Sequence, residues 1–170
     1  MNEVKKEGNG MNYSYRKAVS TDYATICAFP KDSTEVFFMS PKLEYPLTSE
    51  QLEQAAQGRD KQTVILNEHD QVIGYANLYY QQEQELYWLG NVIISPDYRG
   101  KGAAEYLIHT MLAAAKEDLQ LHELHLVCHN VNTKGMLLYS RLGFKPYEIV
   151  KRTGPQETTI AGIFMKIELT

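Results

Sequence analysis

Residues 96 to 118 read PDYRGKGAAEYLIHTMLAAAKED, passing within a few positions from a basic, glycine-punctuated loop into an apolar pattern of helical period. Such a segment suits anion binding. The first N–H groups of a helix lack intrahelical acceptors, the helix dipole adds partial positive charge, and glycines let a ligand approach the backbone. A phosphate group meets those terms. A nucleoside triphosphate loop needs a Lys-Ser or Lys-Thr pair after its last glycine, whereas Gly102 is followed by Ala103 and Ala104. A dinucleotide fingerprint wants a third glycine at position 105, which is Glu105, and an alternating βαβ context that the preceding residues do not supply. What remains is Arg99-x-x-Gly102-x-Ala104. Backbone N–H groups from Arg99 through Gly100, Lys101, Gly102 and Ala103 to Ala104 would form the cradle, with Arg99 or Lys101 adding charge.

Other reactive residues fit chemistry less well. His122, His125 and His129 invite a metal reading, but on a strand His125 and His129 share a face about 13 Å apart, too far to chelate one ion. No metal is expected. His109 stands four residues after Glu105, the spacing of an exposed helical pair. Cys128 alternates with Leu124 and Leu126, which points to the core rather than to a covalent nucleophile.

The elements that must position these residues follow from period and punctuation. YSYRKAV (13 to 19) reads as a strand, and STDYATICAF opens a helix at Ser20 or Thr21 that ends by Pro30. Residues 30 to 46 read as irregular and aromatic-rich, and LTSEQLEQAAQG as a helix capped by Thr48 or Ser49 and stopped by Gly58. KQTVILN, VIGYANLYYQ and LYWLGNVIIS, joined by polar turns, make an antiparallel meander. From Gly102, Leu107, Ile108, Met111, Leu112, Ala115 and Leu119 form one helical stripe. ELHLVCH is a strand, NTKGMLLYSRLGF a helix with Asn132 as N-cap and Gly143 as C-terminal cap, and two strands around TGPQE close the chain. The fold class is therefore α/β (α+β): a mixed, mostly antiparallel sheet of about seven strands with helices on both faces.

Arg99-x-x-Gly102-x-Ala104, after a strand ending VIISP and before an amphipathic helix, resembles the acyl-CoA pyrophosphate loop of the GNAT acetyltransferase superfamily. A second motif agrees. The family's Asn-x-x-Ala-x-x-x-Tyr followed by Leu-Gly-Phe is similar to Asn132-x-x-Gly135-x-x-x-Tyr139 and Leu142-Gly143-Phe144, with Gly135 where alanine is usual. The resemblance runs from Tyr13 to Leu169 and implies an acyltransferase, an N-acetyltransferase moving an acetyl group from acetyl-CoA to a primary amine of a small molecule or a protein N-terminus. It implies cofactor contacts at the loop, at Asn132, and at Val92 and Ile94, whose backbone groups would pair with the pantetheine arm where the NVII strand splays from its neighbour.

Gly90 marks a candidate bulge opening that gap, its N–H a candidate oxyanion donor. Tyr139 would be the general acid, because a phenol of pKa about 10 stays protonated at neutral pH and can hand its proton to a thiolate. The family's glutamate base has one counterpart here, Glu85, near the start of its strand. Phe37, Phe38, Met39 and Tyr45 would wall the acceptor pocket, with Asp32, Glu35 and Glu44 attracting a cationic amine. The alternative function is a catalytically silent acyl-CoA-binding or sensing module.

Composition bounds the rest. Among 170 residues, 44% are hydrophobic, enough for one buried core, so residues 1–10 read as a disordered lead and 11–170 as a single domain. With 17 Lys+Arg against 21 Asp+Glu, no bulk positive charge favours nucleic acid. Two unpaired cysteines and an N-terminus without a signal-length apolar run point to the cytoplasm, with no membrane partner. Family members often dimerise, which makes a homodimer an expectation that no stretch of the sequence demands.

Overall fold

The computed structural model describes residues 7, 8 and 10 to 170, so most of the expected N-terminal lead lies outside the described residues. A two-residue ladder, β1 (Glu7–Gly8) with β2 (Met11–Asn12), precedes the main sheet. That sheet contains β3 (Ser14–Lys17), β4 (Asp60–Leu66), β5 (Val72–Gln81), β6 (Leu86–Ile94), β7 (Glu123–His129), β8 (Lys145–Thr153) and β9 (Thr159–Glu168). Their spatial order is β3-β4-β5-β6-β7-β9-β8.

Every neighbouring pair is antiparallel except β6 and β7. The exception has a topological cause: α4 (Ala103–Glu117) carries the chain back along one face, and a strand-helix-strand crossover returns parallel. Leu107, Ile108 and Met111 of the expected α4 stripe are fully buried against Ile65, Leu78, Leu124 and Leu126, each such side chain contributing about 1.5–3 kcal/mol. Helix α5 (Thr133–Arg141) joins the same face through Met136, Leu138, Tyr139 and Leu142.

The opposite face is covered by α1 (Tyr23–Cys27), α2 (Ser33–Met39) and α3 (Ser49–Ala56), whose Ile26, Val36 and Leu52 pack on Val64, Tyr75 and Ile93. Helix α1 follows a 3-10 turn, Ser20–Asp22, in which buried Asp22 accepts the Val19 N–H at 2.8 Å and holds Arg16 by two hydrogen bonds.

Helix α2 corrects the irregular reading of residues 30 to 46. Asp32 caps it by accepting the Glu35 N–H at 2.9 Å, and Val36 and Met39 are its buried side chains. Two turns with two core contacts are too short for periodicity to stand out from the surrounding aromatics. Helix α3 is capped by Thr48, one of the two expected residues.

Candidate active site

The loop between β6 and α4 is held from behind. Asn67 donates from Nδ2 to the Tyr98 hydroxyl at 2.7 Å, and the Tyr13 hydroxyl donates to the Lys101 carbonyl at 2.7 Å. Gly100 and Gly102 take φ of +73° and +81°, left-handed values that cost a residue with a Cβ about 1–2 kcal/mol, and a Cβ on either would meet only open space. Glycine serves the backbone here, not crowding. Gly102 is the N-cap of α4 and supplies no side-chain acceptor, so the first-turn N–H groups are left without a cap. Ala103 is buried and Ala104 half-buried under that turn. The Lys101 ammonium lies 5.5 Å from the Tyr98 ring centroid.

Arg99 is committed elsewhere than the expected phosphate contact. Its Nη1 and Nη2 donate to the two carboxylate oxygens of Glu35 at 2.6 and 3.0 Å, and its Nε donates to the Ile94 carbonyl at 3.1 Å. Burial opposes ionisation of Glu35, and the Arg99 hydrogen bonds, the Lys31 N–H and the charges of both residues together outweigh it, leaving the carboxyl below its ordinary pKa. This fork ties α2 to the loop.

Strands β6 and β7 touch as a ladder only at Trp88 and His125. Beyond that pair they part, as expected for the NVII segment. Ser95 donates its N–H to Ile73 while Ile94 stands opposite Gly74, so the N–H of Ile94 points to the gap side, where its C=O already accepts from Arg99; alternation gives Val92 the same direction.

The bulge sits one residue beyond Gly90. Asn77 faces Gly90 and Tyr75 faces Ile93, leaving an extra residue on β6, and Asn91 takes φ of +53°. Buried Asn91 accepts from Asn77 Nδ2 at 2.9 Å and donates to the Met39 carbonyl at 3.1 Å, which fastens the bulge to α2. Gly90 is glycine for a different reason: a Cβ there would stand 2.4 Å from Nη1 of Arg59.

On the α4 side of the gap, half-buried Tyr139 packs edge-on against Phe144, 5.8 Å between centroids. Burial, and secondarily Cys128 nearby, raise its phenol well above the ordinary value, so it stays protonated; among the described residues its hydroxyl has no partner. Asn132 caps α5 by accepting the Gly135 N–H at 3.0 Å, and a Cβ at 135 would stand 2.6 Å from the Asn132 amide nitrogen. The folded-over cap accounts for glycine where alanine was expected. Cys128 is buried with its thiol pushed up to about 12, which makes it a poor nucleophile.

The matches with known proteins agree with this geometry. The model of the acetyltransferase (GNAT) family matches residues 27–144. The chain belongs to the GNAT acetyltransferase family. A spermidine N-acetyltransferase chimera from Vibrio cholerae and hSSAT is similar in structure, at 22% identity and a TM-score of 0.75 over 92% of this chain and 95% of that one. A GNAT-family acetyltransferase from Bacillus anthracis aligns over 99% of both chains at 16% identity and a TM-score of 0.75. A spermidine/spermine N-acetyltransferase from Vibrio cholerae aligns over 92% of both at 20% identity and a TM-score of 0.72. This GNAT protein is accordingly an acyltransferase, of a family that uses acetyl-CoA as co-substrate.

The other expected residues of this GNAT site fall into place or out of it. Glu85 lies in the exposed β5–β6 turn at φ of +56°, five residues and about 16 Å along the strand from Gly90, so it does not reach the gap as a base. Of the expected acids, Glu35 is bound to Arg99, Asp32 to its cap, and Glu44 is exposed. They form no cation-attracting wall. Tyr45 is exposed as well, and Met39 is core.

His129 lies beside the gap, a placement that the sequence hid. It is buried on β7 four residues past the Trp88–His125 pair, which, with the extra residue of the β6 bulge, brings it to the level of Val92 and Ile93 across the gap. Its ring lies 4.6 Å from that of Phe37, and burial first, then Arg152, lower its pKa below the ordinary 6.5. His125 is bound at both ring nitrogens, to Tyr147 and Glu123. Among the described residues no group of His, Cys, Asp or Glu is placed to hold a metal, and no helix is long and apolar enough to cross a membrane.

Proposed function

We propose that this protein is an N-acetyltransferase acting on a primary amine, by direct attack within a ternary complex with acetyl-CoA. The observation that carries the reading is the β6–β7 gap, which closes at Trp88 and His125 and widens toward the uncapped N-terminus of α4. When bound, acetyl-CoA supplies the acetyl group as an activated thioester.

The loop from Arg99 to Ala104 binds the pyrophosphate through backbone N–H groups, with exposed Lys101 adding charge beside it. Asn132, at the mouth of α5, borders the same end. Backbone groups of Val92 and Ile94 hold the pantetheine arm, and the bulge at Gly90 and Asn91 faces the thioester carbonyl, where an N–H can stabilise the developing oxyanion. His129, kept neutral at pH 7 by burial, takes the proton that the amine loses as its nitrogen bonds to the carbonyl carbon. Tyr139 gives its proton to the sulfur as the carbon–sulfur bond breaks. The two groups stand on opposite sides of the sheet, one toward the acceptor and one toward the leaving thiol.

The test is calorimetric titration with acetyl-CoA beside a thiol-release assay on a panel of amines. Micromolar binding and amine-dependent release of CoA are expected. Binding without release for any amine would leave only a sensing module, and no binding by a folded protein would refute both.

A further inference from the structure

The α2 face of the sheet carries charges that this transfer chemistry does not use. Arg59 lays its guanidinium over the Tyr79 ring, 4.3 Å from the centroid, and donates from Nη1 to Asn77 Oδ1 at 2.9 Å. It crosses β6 at Gly90, where a Cβ would stand 2.4 Å from Nη1. Arg152 on β8 lies over the Phe164 ring at 5.7 Å and crosses β9 at Gly162, where a Cβ would meet its Cγ at 3.1 Å and Nε at 3.3 Å. Each arginine is thus seated on a glycine inside a strand. Glycine weakens a strand and marks places where another group comes close.

Register puts the two guanidiniums on one floor. Tyr79 pairs with Trp88 across β5 and β6, and the Trp88 ring meets that of Phe164 at 5.6 Å. Among the described residues neither arginine forms an ion pair. Asp60, next to Arg59 in the chain, is bound to Tyr87, and Glu35 is bound to Arg99. The buried indole N–H of Trp88, in the same floor, also lacks an acceptor. The unmatched polar groups here are donors and cations: Arg59 is half-buried, so its guanidinium without an anion is unfavourable until one arrives, and exposed Arg152 adds positive charge at the rim.

We propose that Arg59 and Arg152 form a carboxylate-binding subsite, so that the acceptor is an amine bearing a carboxylate, with an α-amino acid as the simplest member. The spacing favours a short link between the two groups. Arg59 abuts Gly90 and reaches the Asn91 bulge through Asn77, so a carboxylate held by it lies close to where the amine must attack. A polyamine would instead bring positive charge against two uncompensated guanidiniums. The substrate class rests on the acetyltransferase reading above; the subsite itself is measurable without turnover.

The experiment uses the CoA-bound protein titrated with the common amino acids, their C-terminal amides and spermidine, and the acetyl-CoA-loaded protein assayed with the same set. At least one amino acid should bind and be acetylated with kcat/KM at least tenfold above its amide. Arg59→Gln should raise KM for it about tenfold or more while leaving the amide's KM and the acetyl-CoA Kd in place, Arg59→Lys should recover part of the loss, and Arg152→Gln should act in the same direction. Equal or better acetylation of the amides or spermidine overturns the subsite and leaves the transferase reading standing. Carboxylate-dependent, Arg59-dependent binding without CoA release upholds the subsite and overturns the transferase reading. Failure of every amino acid to bind or react overturns the subsite.

Discussion

Helices α4 and α5 lie on the same face of the sheet and each follows a strand, yet their first turns are built on opposite terms. At α5 the Asn132 side chain folds over Gly135 and satisfies a first-turn N–H; at α4 the N-cap is Gly102, left-handed and without a side chain to offer. Helices α2 and α3 are capped in the manner of α5, by Asp32 and Thr48. A cap contributes about 1 kcal/mol, so the longest of these helices forgoes it at its own cost. The difference teaches that the first turn of α4 is left open to an acceptor from outside the chain, as the proposed pyrophosphate contact requires. At α5 the acceptor is internal and the gain is stability.

The comparison breaks most sharply at Gly102. Gly102→Asp places a carboxylate where the proposed function seats the pyrophosphate, and like-charge juxtaposition costs several kcal/mol, so acetyl-CoA affinity by calorimetry should fall at least about 100-fold. Aspartate tolerates left-handed backbone and suits a helix N-terminus, so the thermal midpoint should stay nearly fixed. An unchanged affinity would remove the loop from the binding site.

Tyr139→Phe removes a proton donor on α5 without touching the loop; kcat should drop about 100-fold with acetyl-CoA affinity kept. Steady turnover in that variant would end the general-acid assignment.

His129→Gln should lower kcat/KM about tenfold or more. The pH profile gives the sign: because burial lowers the His129 pKa below 6.5, wild-type activity should be on its plateau at pH 7 and fall as the imidazole gains a proton at lower pH. That acidic limb should vanish in the variant.

The smallest effects belong to the α5 cap. Asn132→Ala should cost about 1 kcal/mol, a midpoint decrease of about 2–4 °C. Gly135→Ala should come out near neutral in the wild type, because about 1 kcal/mol of helix propensity offsets the displaced cap, and should stabilise by about that amount in the Asn132→Ala background. Calorimetric unfolding of the four proteins closes this cycle.

The sequence by itself determined the sheet meander, the two long motif helices and the glycine loop that opens α4, since each rests on local physics. Gly102 before Ala103 and Ala104, the α4 stripe and the Asn132 cap with Gly143 beyond it are read from residues within one or two turns of each other. Short α2 was hidden because two turns carry too few core positions to show a period. The strand alternation that placed Glu85 near the start of β6 could not say how far the turn stands from the gap.

Only the tertiary structure decided which charges are free. Arg99 and Glu35 stand 64 positions apart and cancel each other, and Arg59 comes to Gly90 through folds of the sheet that no spacing rule contains. Likewise the His129 pKa is lowered by burial, with Phe37 of α2 against its ring, and by Arg152, 23 positions on in the chain. Backbone geometry is set by near neighbours, while the protonation and pairing of a side chain are set by whatever the fold packs around it.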